Sequence, residues 1–308
     1  MIDSPRVIFI MGPTATGKTD LAVYLNQNID SEIISVDSAM VYKGMDIGTA
    51  KPDKELLAKA PHRLIDICDP LNSYSAAQFR EDASSAIEEI LARNKTPVLV
   101  GGTGLYFRAL EQGLAELPEA NSQIRAKIEA EADADGWQSL HSRLKEIDLE
   151  AANRINENDP QRIQRALEVY EITGKTLTSL ISAEHKKPFP YPIIKIILSP
   201  EDRSDLHERV KHRFLAMLKS GFVDEVEALH RRGDLSLDLP SMRLVGYRQV
   251  WRYLNGECSH EEMQDYAIIA TRQLAKRQIT WCRSEDNAEW HDPYKTGIFS
   301  KILKNLDN

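Results

Sequence analysis

The chain has 308 residues, with 39 Lys and Arg against 47 Asp and Glu, a formal charge of −8. Its 42% hydrophobic content excludes a disordered chain, and the negative total argues against a protein that coats nucleic acid by charge alone. No apolar run approaches the roughly 20 residues of a spanning helix, the N-terminus lacks the long apolar core of a signal peptide, and Cys68, Cys258 and Cys282 form no CxxC pair. A cytoplasmic protein with reduced thiols, no membrane segment, no disulfide framework and no zinc site is expected.

In chain order, residues 6–11 (RVIFIM) read as a buried strand, β-branched and apolar. A glycine loop follows, then a helical pattern with Leu21, Ala22 and Leu25 on one side. Residues 32–36 (EIISV) read as a second strand. Residues 74–93 read as a helix capped by Ser75, with Ala83, Ile87, Ile90 and Leu91 on its apolar side. Residues 97–100 (PVLV) read as a third strand, running into Gly101-Gly102. Strands separated by helices imply a parallel sheet covered on both faces. Residues 119–186 change character, being acidic and Ala-rich with little strand signal. Asp159-Pro160 suits a helix start and Gly174 a stop, so this stretch reads as a helical insertion. Residues 193–198 (IIKIIL) return to the sheet, and residues 201–285 read as mostly helical. The expected architecture is an α/β fold with a phosphate-loop nucleoside-triphosphate-hydrolase-like parallel sheet. Residues 1–118 and 187–308 would form that core with its C-terminal helices, and residues 119–186 the insertion domain.

The strongest motif is Gly12, Pro13, Thr14, Ala15, Thr16, Gly17, Lys18 and Thr19, a full match to G-x-x-x-x-G-K-[ST] between a strand and a helix. Its glycines let backbone amides converge on phosphate oxygens at a helix N-terminus. Lys18 supplies a cation, and the Thr19 hydroxyl can hold Mg²⁺. The loop specifies a polyphosphate without specifying ATP. The acid that an ATPase carries after a second strand is missing, because residues 97–100 run into Gly101-Gly102-Thr103. A GTPase-type Asn-Lys-x-Asp is also missing: Asn94-Lys95 continues with Thr96-Pro97. Asp37, at the end of the second strand, sits where ligands bind in open α/β sheets and can serve as a general base or as a cap. These residues favour group transfer from a phosphorylated donor, with a small-molecule kinase using ATP as the alternative.

Residues 12–19 (GPTATGKT), 37–42 (DSAMVY), 44–52 (GMDIGTAKP), 101–107 (GGTGLYF), 161–168 (QRIQRALE) and 276–283 (KRQITWCR) resemble the bacterial tRNA dimethylallyltransferase family over nearly the whole chain. That resemblance implies transfer of a dimethylallyl group from dimethylallyl diphosphate to the exocyclic amine of the adenosine 3′ of the anticodon, with release of pyrophosphate. It implies catalytic roles for Asp37, Lys18, Thr19, Thr103 and Arg213, with Mg²⁺ at Thr19. The partner implied is the anticodon stem-loop of tRNA, bound by a monomer. The implied RNA contacts are Asp37, Ser38, Ala39 and Met40; Thr103; Arg125; Gln161, Arg162, Ile163, Gln164 and Arg165; Arg243, Leu244, Val245, Gly246, Tyr247 and Arg248; and Lys276, Arg277, Gln278, Ile279, Thr280, Trp281, Cys282 and Arg283. Met40 stands where many members have Gln. A base must be flipped out of its stack to enter a pocket. On a helical wheel of about 100° per residue, Arg272, Lys276 and Arg283 fall within about 40° of one another, opposite Ala267, Ala270, Leu274 and Trp281. The wheel therefore predicts a basic outer stripe, with Trp281 packed inward. Arg209 reads as a solvated helix charge.

Overall fold

The computed structural model describes residues 5–183 and 189–306. Its centre is a six-stranded, all-parallel sheet. The strands are β1 (Val7–Met11), β2 (Ser31–Val36), β3 (His62–Arg63), β4 (Thr96–Gly101), β5 (Ile193–Leu198) and β6 (Ala288–His291), in the order β3-β2-β4-β1-β5-β6. Four of the strands coincide with the apolar runs of the sequence, whereas β3 and β6 do not. These two are the sheet edges, short and partly exposed, so neither needs an apolar run.

Helices cover both faces of the sheet. Ile8, Ile10, Ile33, Val98 and Leu198 pack against α1 (Lys18–Asn28) and α14 (Ile298–Leu306). Phe9, Met11, Val36, Leu99 and Ile197 pack against α3 (Ala76–Leu91) and α4 (Gly104–Gln112). All ten of these strand side chains are fully buried, each contributing about 1.5–3 kcal/mol relative to exposure. Ser75 caps α3 in a reciprocal box: its Oγ accepts the Gln78 N–H, and Gln78 Oε1 accepts the Ser75 N–H. α2 (Lys54–Lys59) is a short connector.

Beyond β5, α10 (Arg203–Lys219), α11 (Phe222–His230), α12 (Tyr247–Leu254) and α13 (His260–Cys282) enclose a third apolar cluster. It contains Phe214, Phe222, Val226, Tyr247, Val250, Trp251 and Met263, closed by Val41, Tyr42 and Met45 from the loop after β2.

The chain divides into two compact units, Met1–Glu111 with Phe189–Asn308, and Gln112–Pro188. The second unit is helical, with α5 (Ser122–Asp135), α6 (Trp137–Ile147), α7 (Leu149–Arg154), α8 (Pro160–Thr173) and α9 (Leu177–Ala183). Composition shifts place the boundaries at 119 and 186, inside that unit. The shift marks where the sequence changes, while compactness also counts the connecting residues. Asp159 accepts the Arg162 N–H, Pro160 opens α8, and Gly174 ends it at φ 69°. Ile128, Leu140, Leu144, Ile163 and Leu167 form its core. The Glu168 carboxylate is fully buried and receives Arg125 Nε at 2.8 Å, Arg165 Nη1 at 2.6 Å and the Asn121 N–H at 2.8 Å.

Candidate active site

The carboxyl edge of the sheet opens into a cleft of about 1210 Å³ lined entirely by the sheet-bearing unit. Residues 14–19 form its floor, in the turn after β1 and the first residues of α1. Gly12 (φ 144°) must be glycine, because a Cβ there would lie 2.2 Å from the Leu198 carbonyl oxygen. Ala15 (φ 66°) and Gly17 (φ 73°) turn the intervening amides toward one side, the concavity that binds anions. Thr16 Oγ1 donates to the Pro13 carbonyl at 2.9 Å, and Lys18 Nζ donates to the same carbonyl at 2.6 Å. Burial lowers the Lys18 pKa to about 8, with Asp37 pulling it up and Arg213 pulling it down. Lys18 is thus an ammonium disfavoured by burial, which gains from an arriving anion. Cys282 lies beneath it, and burial pushes this thiol up to about 12, so it is a neutral packing group.

Asp37 follows β2 directly. Its Oδ1 accepts the Ala39 N–H at 2.8 Å, so the capping role is real, but it occupies one oxygen only. Thr103 Oγ1 accepts the Ser38 N–H at 3.0 Å and donates to Ser38 Oγ at 3.3 Å, joining the β4 loop to the Asp37 loop. Gly101 permits that join, since a Cβ there would sit 1.9 Å from the Val36 carbonyl oxygen. Arg213, from α10, lines the cleft with no carboxylate within ion-pair distance among the described residues. Burial pulls its pKa below the usual arginine range, and Asp37 partly offsets this. Arg209, one turn earlier, is exposed as a solvated helix charge should be, and at the cleft it places its guanidinium 4.0 Å from the centre of the Tyr294 ring.

Gln278 is used inside the protein. Its Oε1 accepts the Thr14 N–H at 2.9 Å and its Nε2 donates to the Gly102 carbonyl at 3.0 Å, so it ties α13 to the phosphate loop and to the β4 loop. Trp281 packs as the wheel predicts, its ring 6.0 Å from that of Phe107 and interplanar at 20°. Gly104 leaves room for it, for a Cβ there would lie 2.2 Å from the indole.

The cleft brings together residues 14–19, Asp37, Ser38, Ala39, Met40, Thr103, Arg213, residues 243–247, Arg277, Gln278 and Trp281. Arg248, Lys276, Thr280 and Arg283 are exposed outside it. Arg125, Gln161, Arg162, Gln164 and Arg165 belong to the helical unit. There Gln161 and Arg162 are exposed, Arg125 and Arg165 pair with Glu168, and Gln164 Nε2 donates to Glu129. Three side chains expected at RNA point into cores instead, Ile163, Ile279 and Cys282, while Tyr247 is buried in the cleft wall. The reason is helical periodicity, since a contiguous block on a helix carries inward as well as outward positions. The basic stripe is corrected at one position: Lys276 and Arg283 are exposed, but Arg272 is half-buried with its Nε shielded and unpartnered. Sequence reasoning missed His62, Thr49, Phe222 and Met217 on the cleft wall, because no phosphate chemistry marks them.

The donor set fits magnesium only as an ion shared with a ligand. Among the described residues the Thr19 hydroxyl lines the cleft without a hydrogen-bond partner, and Asp37 keeps one free oxygen. Among the described residues no cluster of three His, Cys, Asp or Glu could cage a metal. Few protein ligands plus phosphate oxygens is the usual pattern for Mg²⁺.

Comparison with known proteins agrees with this geometry. A family model described as IPP transferase matches residues 40–285, and one described as isopentenyl transferase matches residues 5–71. A tRNA dimethylallyltransferase of Coxiella burnetii is 54% identical over 306 residues, covering 99% of this chain and 98% of that protein. The crystal structure of the tRNA isopentenylpyrophosphate transferase of Bacillus halodurans is 36% identical with a TM-score of 0.71, covering 99% of this chain and 97% of that one. Its Staphylococcus epidermidis counterpart is 33% identical at the same TM-score of 0.71, covering 98% and 99%. A eukaryotic dimethylallyltransferase acting on tRNA shares the fold at TM-score 0.79 with 24% identity, covering 99% of this chain and 78% of that one. With a phosphate loop and Asp37 facing one cleft, and with matches running the length of the sequence, the chain belongs to the IPP transferase family.

Proposed function

We propose that this chain transfers the dimethylallyl group of dimethylallyl diphosphate to the exocyclic amine of the adenosine 3′ of the anticodon in tRNA. The observation that carries the reading is one cleft in which a phosphate loop, Lys18 and Arg213 face Asp37, with no carboxylate after β4 where an ATPase would keep one. The donor diphosphate would sit on the amides of residues 12–19, next to Lys18. An anion there favours the charged form of Lys18 and raises its pKa from about 8. As the amine nitrogen bonds to the allylic carbon, the carbon–oxygen bond to diphosphate breaks and the electron pair leaves with pyrophosphate. The amine sheds one proton, for which the free oxygen of Asp37 is the acceptor. Lys18, Arg213 and the loop amides meet the charge that grows on the leaving group. The Thr19 hydroxyl would hold Mg²⁺, which would supply further charge neutralisation when bound. Thr103, through Ser38, holds the loop that carries Asp37.

Nothing in the relatives favours the ATP-using kinase alternative. No helix among the described residues is long and apolar enough to cross a membrane. Incubation with tRNA, Mg²⁺ and dimethylallyl diphosphate labelled in the allyl group should move label into the RNA. Unlabelled RNA, with ATP consumed in the presence of a small acceptor, would reject the reading.

A further inference from the structure

The loop after β2 forms one wall of the cleft through Gly48, Thr49 and Ala50, yet it belongs to no helix or strand. A loop of this length needs anchors to hold one shape. Two are present, of opposite charge. Lys51, only 3% exposed in its side chain, reaches Asp46 and Asp66 and donates to the Tyr42 carbonyl at 2.9 Å. On the other side, the Glu225 carboxylate of α11 accepts three successive backbone amides: Asp46 at 2.9 Å, Ile47 at 2.7 Å and Gly48 at 3.1 Å. Its Oε1 also accepts the Tyr247 hydroxyl at 2.6 Å. Burial, together with the adjacent carboxylate, raises the Tyr247 pKa, so the phenol stays a donor.

An ionised acceptor of this kind makes bonds stronger than neutral ones and matches a row of N–H groups. Packing enforces the same arrangement. A Cβ on Gly48 would lie 2.1 Å from the Phe222 ring and 2.6 Å from Tyr247, so the loop can approach these rings only as glycine. Tyr247 and Phe222 line the cleft themselves, beside Arg243, Leu244, Val245 and Gly246. The stapled loop and residues 243–247 are therefore one continuous wall. It is distinct from the floor of residues 14–19, which Gln278 holds.

We infer that Glu225 is a positioning residue: its carboxylate fixes residues 46–48 and thereby shapes the wall that receives the acceptor nucleoside, leaving the diphosphate floor untouched. The acceptor assignment rests on the functional reading above, while the staple itself does not.

The test separates the two. Amide hydrogen exchange at residues 46–48 is measured in the wild type and in Glu225→Ala. Protection lost in the variant, with core strands still protected, is expected; unchanged exchange overturns the staple whatever the enzyme does. Steady-state kinetics then follow Glu225→Ala, Glu225→Gln and Tyr247→Phe with tRNA varied at saturating dimethylallyl diphosphate, and the reverse. KM for tRNA should rise roughly 10-fold in Glu225→Ala and less in Tyr247→Phe, which removes one of the four bonds. Glu225→Gln keeps one acceptor oxygen and should fall between them. Pyrophosphate affinity, titrated directly, should stay within about 2-fold. Loss of tRNA and pyrophosphate affinity in the same proportion would assign Glu225 a general structural role. A wild-type enzyme that labels no RNA would reject the functional reading and leave the exchange result standing.

Discussion

The cleft and the helical unit treat their cations in opposite ways. In the helical unit the half-buried arginines among the described residues are neutralised: Arg125 and Arg165 close on the buried Glu168, and Arg143 bridges Glu131 and Glu171. In the cleft, Lys18 has only a backbone carbonyl and Arg213 has no carboxylate within ion-pair distance among the described residues. Each carries a lowered pKa, caused first by burial. A satisfied charge stabilises a fold, whereas an unsatisfied one is held in readiness for a ligand. The difference separates structure from chemistry here more clearly than charge density does.

The sharpest way to break that comparison is to remove an unsatisfied cation. Lys18→Met should lower transfer roughly 10²–10³-fold. The thermal midpoint should hold or rise, because a strained charge has been removed. Asp37→Ala should cost roughly 10²-fold in the chemical step with pyrophosphate affinity largely kept. Equal losses of rate and stability would erase the distinction between the two regions. The converse experiment is Glu168→Gln. It leaves two arginines facing a neutral amide and should destabilise by roughly 1–3 kcal/mol, read in denaturant melts. Burial raises the Glu168 pKa, but Arg125 and Arg165 more than offset it, so the net shift is downward. Its contribution is therefore present above the usual carboxylate range and lost as pH falls. Transfer by the folded fraction should be unaltered.

A subtler contrast is in protons. The free protein gives up the Lys18 proton near pH 8, well below the ordinary 10.5, and a bound diphosphate draws it back. Binding between these values should take up a proton, and affinity for pyrophosphate should fall as pH rises above about 8. Calorimetry in two buffers of different ionisation enthalpy measures the uptake directly. Zero uptake would show that Lys18 is already charged in the free site. The smallest effect is expected from the exposed cations. Arg162→Ala should change stability by less than about 0.5 kcal/mol. If it touches RNA, the salt slope of tRNA binding should drop by about one.

Much of this molecule is legible in its sequence, for reasons that differ by element. β1, β2, β4 and β5 are buried on both faces, so their residues had to form apolar runs. The turn at residues 12–19 requires glycine at Gly12 and Gly17 for steric and dihedral reasons that are local to the chain. The Asp159-Pro160 and Gly174 boundaries of α8 are likewise local. Edge strands carry no such demand, and β3 and β6 were invisible for that reason. The basic stripe on α13 failed at Arg272 because a wheel ranks residues by one face, while this helix is flanked by neighbours on more than one side.

What the sequence by itself determined is the set of local necessities: which segments must be buried, where the backbone must turn with positive φ, and which residue types can grip a phosphate. Tertiary structure alone decided which polar side chains are spent on the protein and which are kept for a ligand. Gln278 and Glu225 are ordinary helix residues until folding brings backbone amides from 264 and 177–179 positions away onto them. A hydrogen bond acts over about 3 Å and is indifferent to separation along the chain, so no spacing rule announces it.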